Sequence, residues 1–428
     1  MIEIPPVPTT GNEPACIVGF DIPGNLIDGR NVSLDELREL AVTAGIDPLE
    51  IIRTRQAAVH PAFFVGAGKV DEIAAACGAH DIHLVLFDHD LTPRQTRNLE
   101  ERLQAKVLDR TGIILQIFAQ RARSREGQLQ VELAQYEYLL PRLTNLWSHL
   151  SRQYGGAGTR GPGEKQLEVD RRRVQARIDH LEAALDAVRR QRATQRKQRQ
   201  KSDIPVIAIV GYTNSGKSTF MRALTKADVL IEDKLFATLD PTTRRYRLPS
   251  GECFIFIDTV GFIRNLPHML VESFKATLEE VHEADILLHL ADGAAPDLGE
   301  RIEAVHCVLR ELDADEKPQV LALNKIDLLS HQAKRALAAR YEDAALISAR
   351  FKYGFAALLE RLQERIPATR RRTSLRIPAH KSLLLSQLYQ QGKVLSARYE
   401  QDAVIVEAFV PASLESQVRR YRRRTVSQ

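Results

Sequence analysis

Short apolar runs alternate with amphipathic stretches over the first 120 residues of the chain. The run CIVGFDI is typical of a strand, and SLDELRELAVTAGI has the period of an amphipathic helix with a capping box at Ser33 and Glu36. Further on, IHLVLFDHD predicts a buried strand, and Thr92 with Pro93 predicts the start of the next helix. This pattern predicts a small α/β domain over residues 1–120.

Two heptad patterns follow, one on each side of a glycine-rich stretch. Two helices joined by one loop are expected to pair antiparallel as a hairpin, with arms of about 24 residues that each span about 36 Å. Pro141 is expected to kink the first arm. We assign residues 121–202 to this hairpin. Its apolar positions are Leu129, Leu133, Tyr136, Leu140, Leu143, Trp147 and Leu150, then Leu167, Val174, Ile178, Leu181, Leu185 and Val188.

The stretch between the two arms reads RQYGGAGTRGPGEKQLEVDRRR and has the glycines and the lysine of a phosphate-binding loop in the wrong order. Glu164 separates Gly163 from Lys165, and no Ser or Thr follows to hold magnesium. A nucleotide site is therefore not predicted here. The heptads on both sides and the surrounding arginines favour a tip that reaches away from the domains, against the alternative of a disordered linker.

A second glycine–lysine pair occurs in FFVGAGKVDEI. It lacks the first glycine of a phosphate-binding loop and a hydroxyl residue after Lys69. A tight turn into a helix is the favoured interpretation. A weak second nucleotide site stays open as the alternative.

The charge of the chain is unevenly distributed. The 428 residues are 44% hydrophobic and 27% charged, with a net charge of +5, as in a soluble globular protein. Residues 151–202 contain 14 Lys and Arg against 6 Asp and Glu, and RRYRRR occupies residues 419–424. Such runs are either solvated helix faces or surfaces for a polyanionic partner, and the concentration of charge on one element favours the partner.

Several features of the composition bear on location. The four cysteines have no C-x-x-C spacing, no apolar run is long enough for a membrane span, and the first residues do not have the pattern of a signal peptide. We therefore expect a cytoplasmic protein without stable membrane insertion. Peripheral association with a membrane stays open.

One stretch carries the strongest chemical signal in the chain. PVIAIVGYTNSGKSTFMRAL is a strand, a G-x-x-x-x-G-K-S loop and a helix, which is the full context of a phosphate-binding loop. Gly211 and Gly216 allow backbone N–H groups to surround the β-phosphate. Lys217 is expected to neutralise the β and γ oxygens, and the Ser218 hydroxyl to ligate magnesium.

Further motifs follow at the ends of predicted strands. FIFIDTVGF supplies Asp258 on the magnesium side and Gly261 near the γ-phosphate. VLALNKID supplies Asp327, whose carboxylate accepts from both donors of guanine, a pair that adenine lacks. ALISAR supplies a backbone contact to the guanine oxygen at Ser348 and Ala349. Together these motifs predict a GTPase.

Two positions determine how hydrolysis is expected to proceed. Thr238, in LFATLDPTTRR, is our choice for the threonine that binds magnesium only when the γ-phosphate is present, ahead of Thr242 and Thr243. Phe262 follows Gly261, where many GTPases have the glutamine that orients water. Losing such a group costs about 2.7–4 kcal/mol in the transition state, so slow hydrolysis alone and acceleration by a partner are expected. The alternative is internal replacement by a residue near Arg244 and Arg245.

These motifs, with GGAGTRGPGEKQLEVDRR just upstream, resemble the HflX family of ribosome-associated GTPases in the Obg–HflX superfamily. The resemblance covers most of the chain, and the upstream motif is the discriminating one. It implies binding to the large ribosomal subunit and its RNA, with the hairpin loop directed towards the peptidyl-transferase centre. Some relatives are implicated in splitting stalled or heat-damaged ribosomes, and ATP binding and RNA unwinding are attributed to the N-terminal regions of others.

The resulting prediction is a monomeric α/β protein that hydrolyses GTP with Mg²⁺ as cofactor. It comprises the N-terminal α/β domain with its long antiparallel helical hairpin, a Ras-like P-loop GTPase domain over residues 203–368, and a small α+β domain over residues 369–428. KVLSARY and DAVIVEAFVP are expected to be strands of that last domain, with helices before and after them.

The motifs and the resemblance together define the expected site. Catalytic roles are expected for Lys217, Thr238 and Gly261, and magnesium ligation for Ser218 and Thr238. The nucleotide is expected to contact Gly211, Tyr212, Thr213, Asn214, Ser215, Gly216, Lys217, Ser218, Thr219, Phe236, Ala237, Thr238, Leu239, Asp240, Asp258, Thr259, Val260, Gly261, Asn324, Lys325, Asp327, Ser348, Ala349 and Arg350.

The expected function is that of a GTP-switched factor that splits or rescues ribosomes, and a role under stress stays open. Two alternatives stay open: an ATP-driven enzyme that remodels ribosomal RNA with a regulatory GTP site, and a scaffold for assembly of the large subunit.

Overall fold

The computed structural model describes most of the chain in separate segments. These are residues 13–20, 26–27, 30–55, 59–143, 162–200, 204–225, 235–248, 253–264, 267, 270, 280–365, 372–391, 393–410 and 412–422. The predicted tip of the hairpin lies outside the described residues, as do Trp147 and Leu150. Among the described helices, none is both long enough and apolar enough to cross a membrane.

A four-stranded parallel sheet organises the N-terminal part, in the order β4-β1-β5-β6. Helices connect its strands, so the predicted α/β class is confirmed. The strands are β1 (Glu13–Phe20), β4 (Ile46–Thr54), β5 (Leu84–Phe87) and β6 (Lys106–Asp109), with the short β2 (Leu26–Ile27) and β3 (Arg30–Asn31) paired separately. The helices are α1 (Val32–Ala44), α2 (Ala67–Ala79), α3 (Pro93–Leu103) and α4 (Arg110–Arg121).

The predicted capping box at Ser33 and Glu36 is wrong. Helix α1 already begins at Val32, so Ser33 lies inside it, where its hydroxyl is buried and has no hydrogen-bond partner among the described residues. The Glu36 carboxylate instead accepts hydrogen bonds from the Arg110 guanidinium and the Tyr212 hydroxyl. In the bond from the Arg110 guanidinium both partners are ionised, whereas a bond from a helix amide to the carboxylate has only one ionised partner.

Two other local predictions in this part are confirmed. Helix α3 begins at Pro93, and Thr92 caps it in a capping box with Gln95. The chain makes a tight turn over residues 60–64, in which His60 and Phe64 exchange backbone hydrogen bonds, and α2 begins at Ala67 within FFVGAGK. The amine of Lys69 lies 2.8 Å from a carboxylate oxygen of Glu72, within α2.

The two arms of the predicted hairpin pack against each other in the described residues. They are α5 (Arg125–Leu139) and α6 (Pro162–Gln200). A guanidinium nitrogen of Arg177 lies 2.6 Å from the carboxylate of Glu132 across the pair. Helix α5 ends at Leu139, two residues before Pro141, and the first arm beyond residue 143 lies outside the described residues, so the kink at Pro141 stays a prediction. The shared apolar cluster consists of Leu129, Leu133, Leu143, Val174, Ile178, Leu181 and Leu185.

A six-stranded sheet forms the P-loop part, in the order β12-β11-β10-β7-β9-β8. All neighbours pair in parallel except β8 and β9. The strands are β7 (Val206–Val210), β8 (Thr242–Arg247), β9 (Cys253–Asp258), β10 (Ile286–Asp292), β11 (Gln319–Asn324) and β12 (Ala345–Leu346). The helices are α7 (Lys217–Thr225), α8 (Leu298–Glu311), α9 (His331–Arg340) and α10 (Phe355–Arg365).

The C-terminal part is a three-stranded antiparallel sheet, in the order β13-β15-β14. Its two predicted strands, β14 (Lys393–Tyr399) and β15 (Ala403–Phe409), are confirmed, with α11 (Ser382–Gln391) before them and α12 (Ala412–Val418) after them. Strand β13 (Arg372–Pro378) was not predicted, since its two arginines and the two arginines before it resemble a linker.

Candidate nucleotide site

The phosphate-binding loop connects β7 to α7 and borders an open cavity. Helix α7 begins at Lys217, so its first N–H groups have no partner within the helix. Gly216 has a φ of +91°, and a Cβ there would collide with the Asn324 amide nitrogen. The cavity is lined by Thr213, Asn214, Gly216, Lys217, Ser218, Thr219, Phe236, Ala237, Thr238, Thr259 and Gly261.

The Lys217 side chain is folded into this loop. Its amine donates to the carbonyl oxygens of Gly211 and Tyr212, at 3.0 and 2.8 Å. Burial disfavours the charged amine and lowers the pKa of Lys217 to about 8, although the carboxylate of Asp258 acts in the opposite direction. The loop thus holds a cation whose charge responds to mildly alkaline pH.

Nucleotide binding is therefore expected to take up a proton in alkaline solution. Phosphate oxygens favour the charged amine and raise the pKa of Lys217. The affinity for GTP is therefore highest at pH values below the pKa of about 8 that Lys217 has in the free protein. Above that pH the affinity should fall, and near pH ~9 close to one proton should enter with each GTP. Titration calorimetry in two buffers of different ionisation enthalpy measures this uptake. Binding at that pH without uptake would contradict the expected titration of Lys217.

Three oxygen-bearing side chains converge beside the lysine. The Ser218 and Thr238 hydroxyl oxygens lie 2.8 Å apart, and both donate to one carboxylate oxygen of Asp258, at 2.9 and 3.1 Å. The other oxygen of Asp258 is buried without a hydrogen-bond partner among the described residues. Burial raises the pKa of Asp258, and Lys217 opposes this. These oxygen donors suit a hard cation such as Mg²⁺.

The segment after Asp258 approaches the phosphate-binding loop closely. A Cβ at Gly261 would lie 3.0 Å from the Lys217 amine, so any side chain there would crowd the γ-phosphate side of the cavity. Phe262 is 1% exposed, with its ring in the apolar core. Its backbone N–H donates to the Gly211 carbonyl, and its carbonyl accepts from Thr213. Phe262 therefore fixes the backbone of this segment, and its buried ring offers no hydrogen-bonding group to the cavity.

The predicted internal substitutes for a catalytic glutamine lie elsewhere. The Arg244 guanidinium donates to the Thr243 carbonyl, and Arg245 contacts the Cys253 sulfur. Both arginines lie on β8, and neither is among the described residues that line the cavity. Thr242 and Thr243 begin the same strand, whereas Thr238 reaches Ser218.

The residues predicted to read the base form a second group behind the loop. The Asn324 amide donates to the Ser215 carbonyl at 2.9 Å and accepts from the Ala349 N–H at 2.8 Å. The Ser348 hydroxyl donates to the Asp327 carboxylate at 2.6 Å. Asp327 is thus held in a fixed orientation, while the Ala349 N–H already has a partner.

The other predicted contacts have different surroundings. Lys325 pairs with the Asp292 carboxylate at 2.9 Å, and the Arg350 guanidinium lies over the Phe351 ring. Leu239 and Val260 belong to the apolar core. Asp240 contacts the start of α5, away from the cavity-lining residues.

A buried polar network lies behind the loop and was not predicted from the sequence. The Tyr212 hydroxyl donates to Glu36 and accepts from the Arg264 N–H at 2.8 Å, while Arg110 donates to the Arg264 carbonyl at 3.1 Å. Arg110 also pairs with Asp88, at 2.9 Å. These bonds join the N-terminal sheet to the segments on both sides of the cavity. No local sequence signal identifies them, since each partner comes from a different part of the chain.

Family comparisons agree with this geometry. Residues 206–325 match the family described as "50S ribosome-binding GTPase", residues 31–119 the "GTP-binding GTPase N-terminal" family, and residues 121–199 the "GTP-binding GTPase Middle Region" family. "GTPase HflX" of Caldanaerobacter subterraneus is 46% identical over 91% of this chain and 90% of its own. "GTPase HflX" of Escherichia coli K12 is 46% identical over 87% and 88%.

Two solved structures are similar to parts of this chain. A GTP-binding protein from Sulfolobus solfataricus in complex with GDP is 24% identical, with a TM-score of 0.43, over 82% of this chain and 98% of its own. Era of Aquifex aeolicus bound to GDP and AlF₄⁻ is 21% identical, with a TM-score of 0.32, over 38% of this chain and 57% of its own.

Proposed function

Because the chain belongs to the HflX family of GTPases and is a GTP-hydrolysing enzyme, we propose that it is a GTP-switched factor that binds the large ribosomal subunit. In this proposal it acts as a monomer in the cytoplasm to split or rescue ribosomes. The match of residues 206–325 to a ribosome-binding GTPase family carries the proposal. The basic hairpin next to that domain supports a partner rich in phosphate.

Within this proposal, the loop residues bind and neutralise the phosphates of GTP. The Lys217 amine binds the β and γ oxygens, and the N–H groups at the start of α7 surround the β-phosphate. Ser218 and Thr238 would ligate Mg²⁺, with Asp258 accepting from its bound water. When bound, the ion neutralises charge on the phosphates. The convergence of these oxygens within 3.1 Å supports the assignment.

The buried position of Phe262 supports stimulation of hydrolysis by a partner. Its ring is buried in the core, so the attacking water has no side chain at this position to orient it. Hydrolysis by the protein alone is then slow, and a partner that orders the water restores the missing contribution.

Stimulation by ribosomes tests the proposal directly. GTP hydrolysis is measured with and without purified large subunits, for the intact chain and for a variant lacking residues 155–163. We expect stimulation of the intact chain and its loss in the variant, because the proposal assigns contact with the RNA to this loop. The basal rate of the variant is the control for folding. No stimulation of the intact chain would overturn the proposal, whereas stimulation that survives the deletion would assign docking to the rest of the chain.

A further inference from the structure

The segment that contains Thr238 is held by the N-terminal part of the chain at two points. Before Thr238, the Phe236 ring packs edge-to-face on Phe118 of α4, with centroids 4.8 Å apart. After it, the Asp240 carboxylate contacts the start of helix α5, the first arm of the hairpin. Thr238 lies between these two attachments, with its hydroxyl beside Ser218.

The contact of Asp240 is a cluster of hydrogen bonds. One carboxylate oxygen accepts from the backbone N–H groups of Arg123 and Ser124, at 2.9 and 2.7 Å, and the other accepts from the Ser124 hydroxyl. The Ser124 side chain also caps α5 by accepting from the Gly127 N–H at 3.0 Å. A negative group at the start of a helix is further stabilised by the helix dipole.

The fit between the two segments is tight. A Cβ built on Gly127 would lie only 2.5 Å from an Asp240 oxygen, so the carboxylate lies directly against the first turn of α5. Asp240 follows Thr238 by two residues, a separation of at most about 7 Å in a fully extended chain. While these bonds are formed, the position of α5 therefore restricts the positions that Thr238 can take.

We propose that Asp240 is a positioning residue for GTP hydrolysis. By binding the start of α5, it holds Thr238 where the hydroxyl meets Ser218 and the Mg²⁺–γ-phosphate unit. The same bonds tie the hairpin to the nucleotide site, since Asp240, which binds α5, and Thr238, which contacts Ser218, lie two residues apart. Linkage then requires reciprocity. If GTP changes the affinity for a ligand that moves the hairpin, that ligand changes the affinity for GTP by the same factor. This last consequence rests on the proposed function, whereas the positioning role does not.

The test compares Asp240→Asn and Asp240→Ala with the wild-type chain. Affinities are measured for GDP and for a non-hydrolysable GTP analogue, and kcat is measured with GTP. We expect the affinity for the analogue to fall about 5–150-fold, the usual range of coupling between sites, with kcat reduced in parallel. The affinity for GDP should stay within about twofold of the wild-type value, because Thr238 is expected to bind magnesium only when the γ-phosphate is present.

Two variants separate positioning from general damage. Ser330→Ala removes a cap from helix α9, far along the chain from Thr238, and is expected to leave both affinities unchanged. Ser124→Ala removes the hydroxyl that Asp240 binds. In a double-mutant cycle, its effect on the affinity for the analogue should largely vanish when Asp240 is already alanine.

Three outcomes would overturn the inference. Equal losses for GDP and for the analogue would assign Asp240 a structural role, and unchanged affinities would remove any role. Additive effects of the two substitutions would break the link to α5.

Stimulation by large subunits distinguishes failure of this inference from failure of the proposed function. If they fail to stimulate the wild type, only the proposed function falls. If they stimulate the wild type and Asp240→Asn by the same factor, the link from hairpin to switch falls.

Discussion

Replacing Asp327 with asparagine is expected to lower the affinity for GTP by about 10²–10⁴-fold and to favour xanthosine triphosphate instead. The carboxylate accepts from the ring N–H and the amino group of guanine, and each such bond to a charged group contributes about 1.5–3 kcal/mol. Asparagine keeps one acceptor, its amide oxygen, and gains a donor, its amide NH₂ group. This donor cannot bond to the amino group of guanine, whereas it can donate to the 2-oxo group of xanthine. The Ser348 hydroxyl, 2.6 Å from Asp327, orients the side chain for this exchange.

Competition binding with GTP and xanthosine triphosphate measures the change. Asp71→Asn on α2 is the matched control, because Asp71 pairs with Arg102 on the surface of the N-terminal part. It should leave both affinities unchanged. If Asp327→Asn retains the wild-type preference for GTP, another residue reads the base.

The nucleotide site could be predicted to this depth because its motifs are local. The loop from Gly211 to Ser218 combines its glycines, lysine and hydroxyl within eight consecutive residues, and a strand and a helix flank it. Thr238 was singled out from three threonines by its motif, and the structure brings it to 2.8 Å from Ser218. Residue type and spacing are enough here, since the backbone of one short loop fixes the geometry.

The links between the domains could not be predicted in the same way. Asp240 and Ser124 are 116 positions apart, and the hydroxyl of Tyr212 meets Glu36 across 176 positions. Asp240 and Glu36 each also fit a role close by in the sequence. For Glu36 this role is the predicted capping box with Ser33. The competing interaction is a tertiary one, and only packing of the sheets reveals which partner each carboxylate reaches.

The missed strand β13 has a related cause. Thr373, Leu375 and Ile377 alternate as buried positions, which is the period of a half-buried strand. The arginines around them gave the stretch the composition of a linker. Strand pairing with β15 settles the assignment, and that information lies 25 or more residues further on.

The affinity for large ribosomal subunits is expected to fall about 10³–10⁵-fold between 50 and 200 mM salt, if about 6–10 phosphates are contacted. Each lysine or arginine that neutralises a phosphate releases counterions, so the logarithm of the affinity falls linearly with the logarithm of the salt concentration. Helix α6 and the C-terminal arginines supply the charge. Equilibrium binding at several salt concentrations and constant Mg²⁺ measures the slope.

Charge-removing variants assign that slope to surfaces. Arg419, Arg420 and Arg422 are exposed beside β13, where Arg422 forms a bridge with Leu375. Replacing all three with glutamine should lower the slope by about 2–3 if each contacts a phosphate, since one contact contributes about 0.7–0.9. The control replaces Arg335 and Arg340 on α9. A slope lowered equally per charge in both variants would indicate a net-charge effect, and a flat salt response of the wild type would exclude phosphate contacts as the source of affinity.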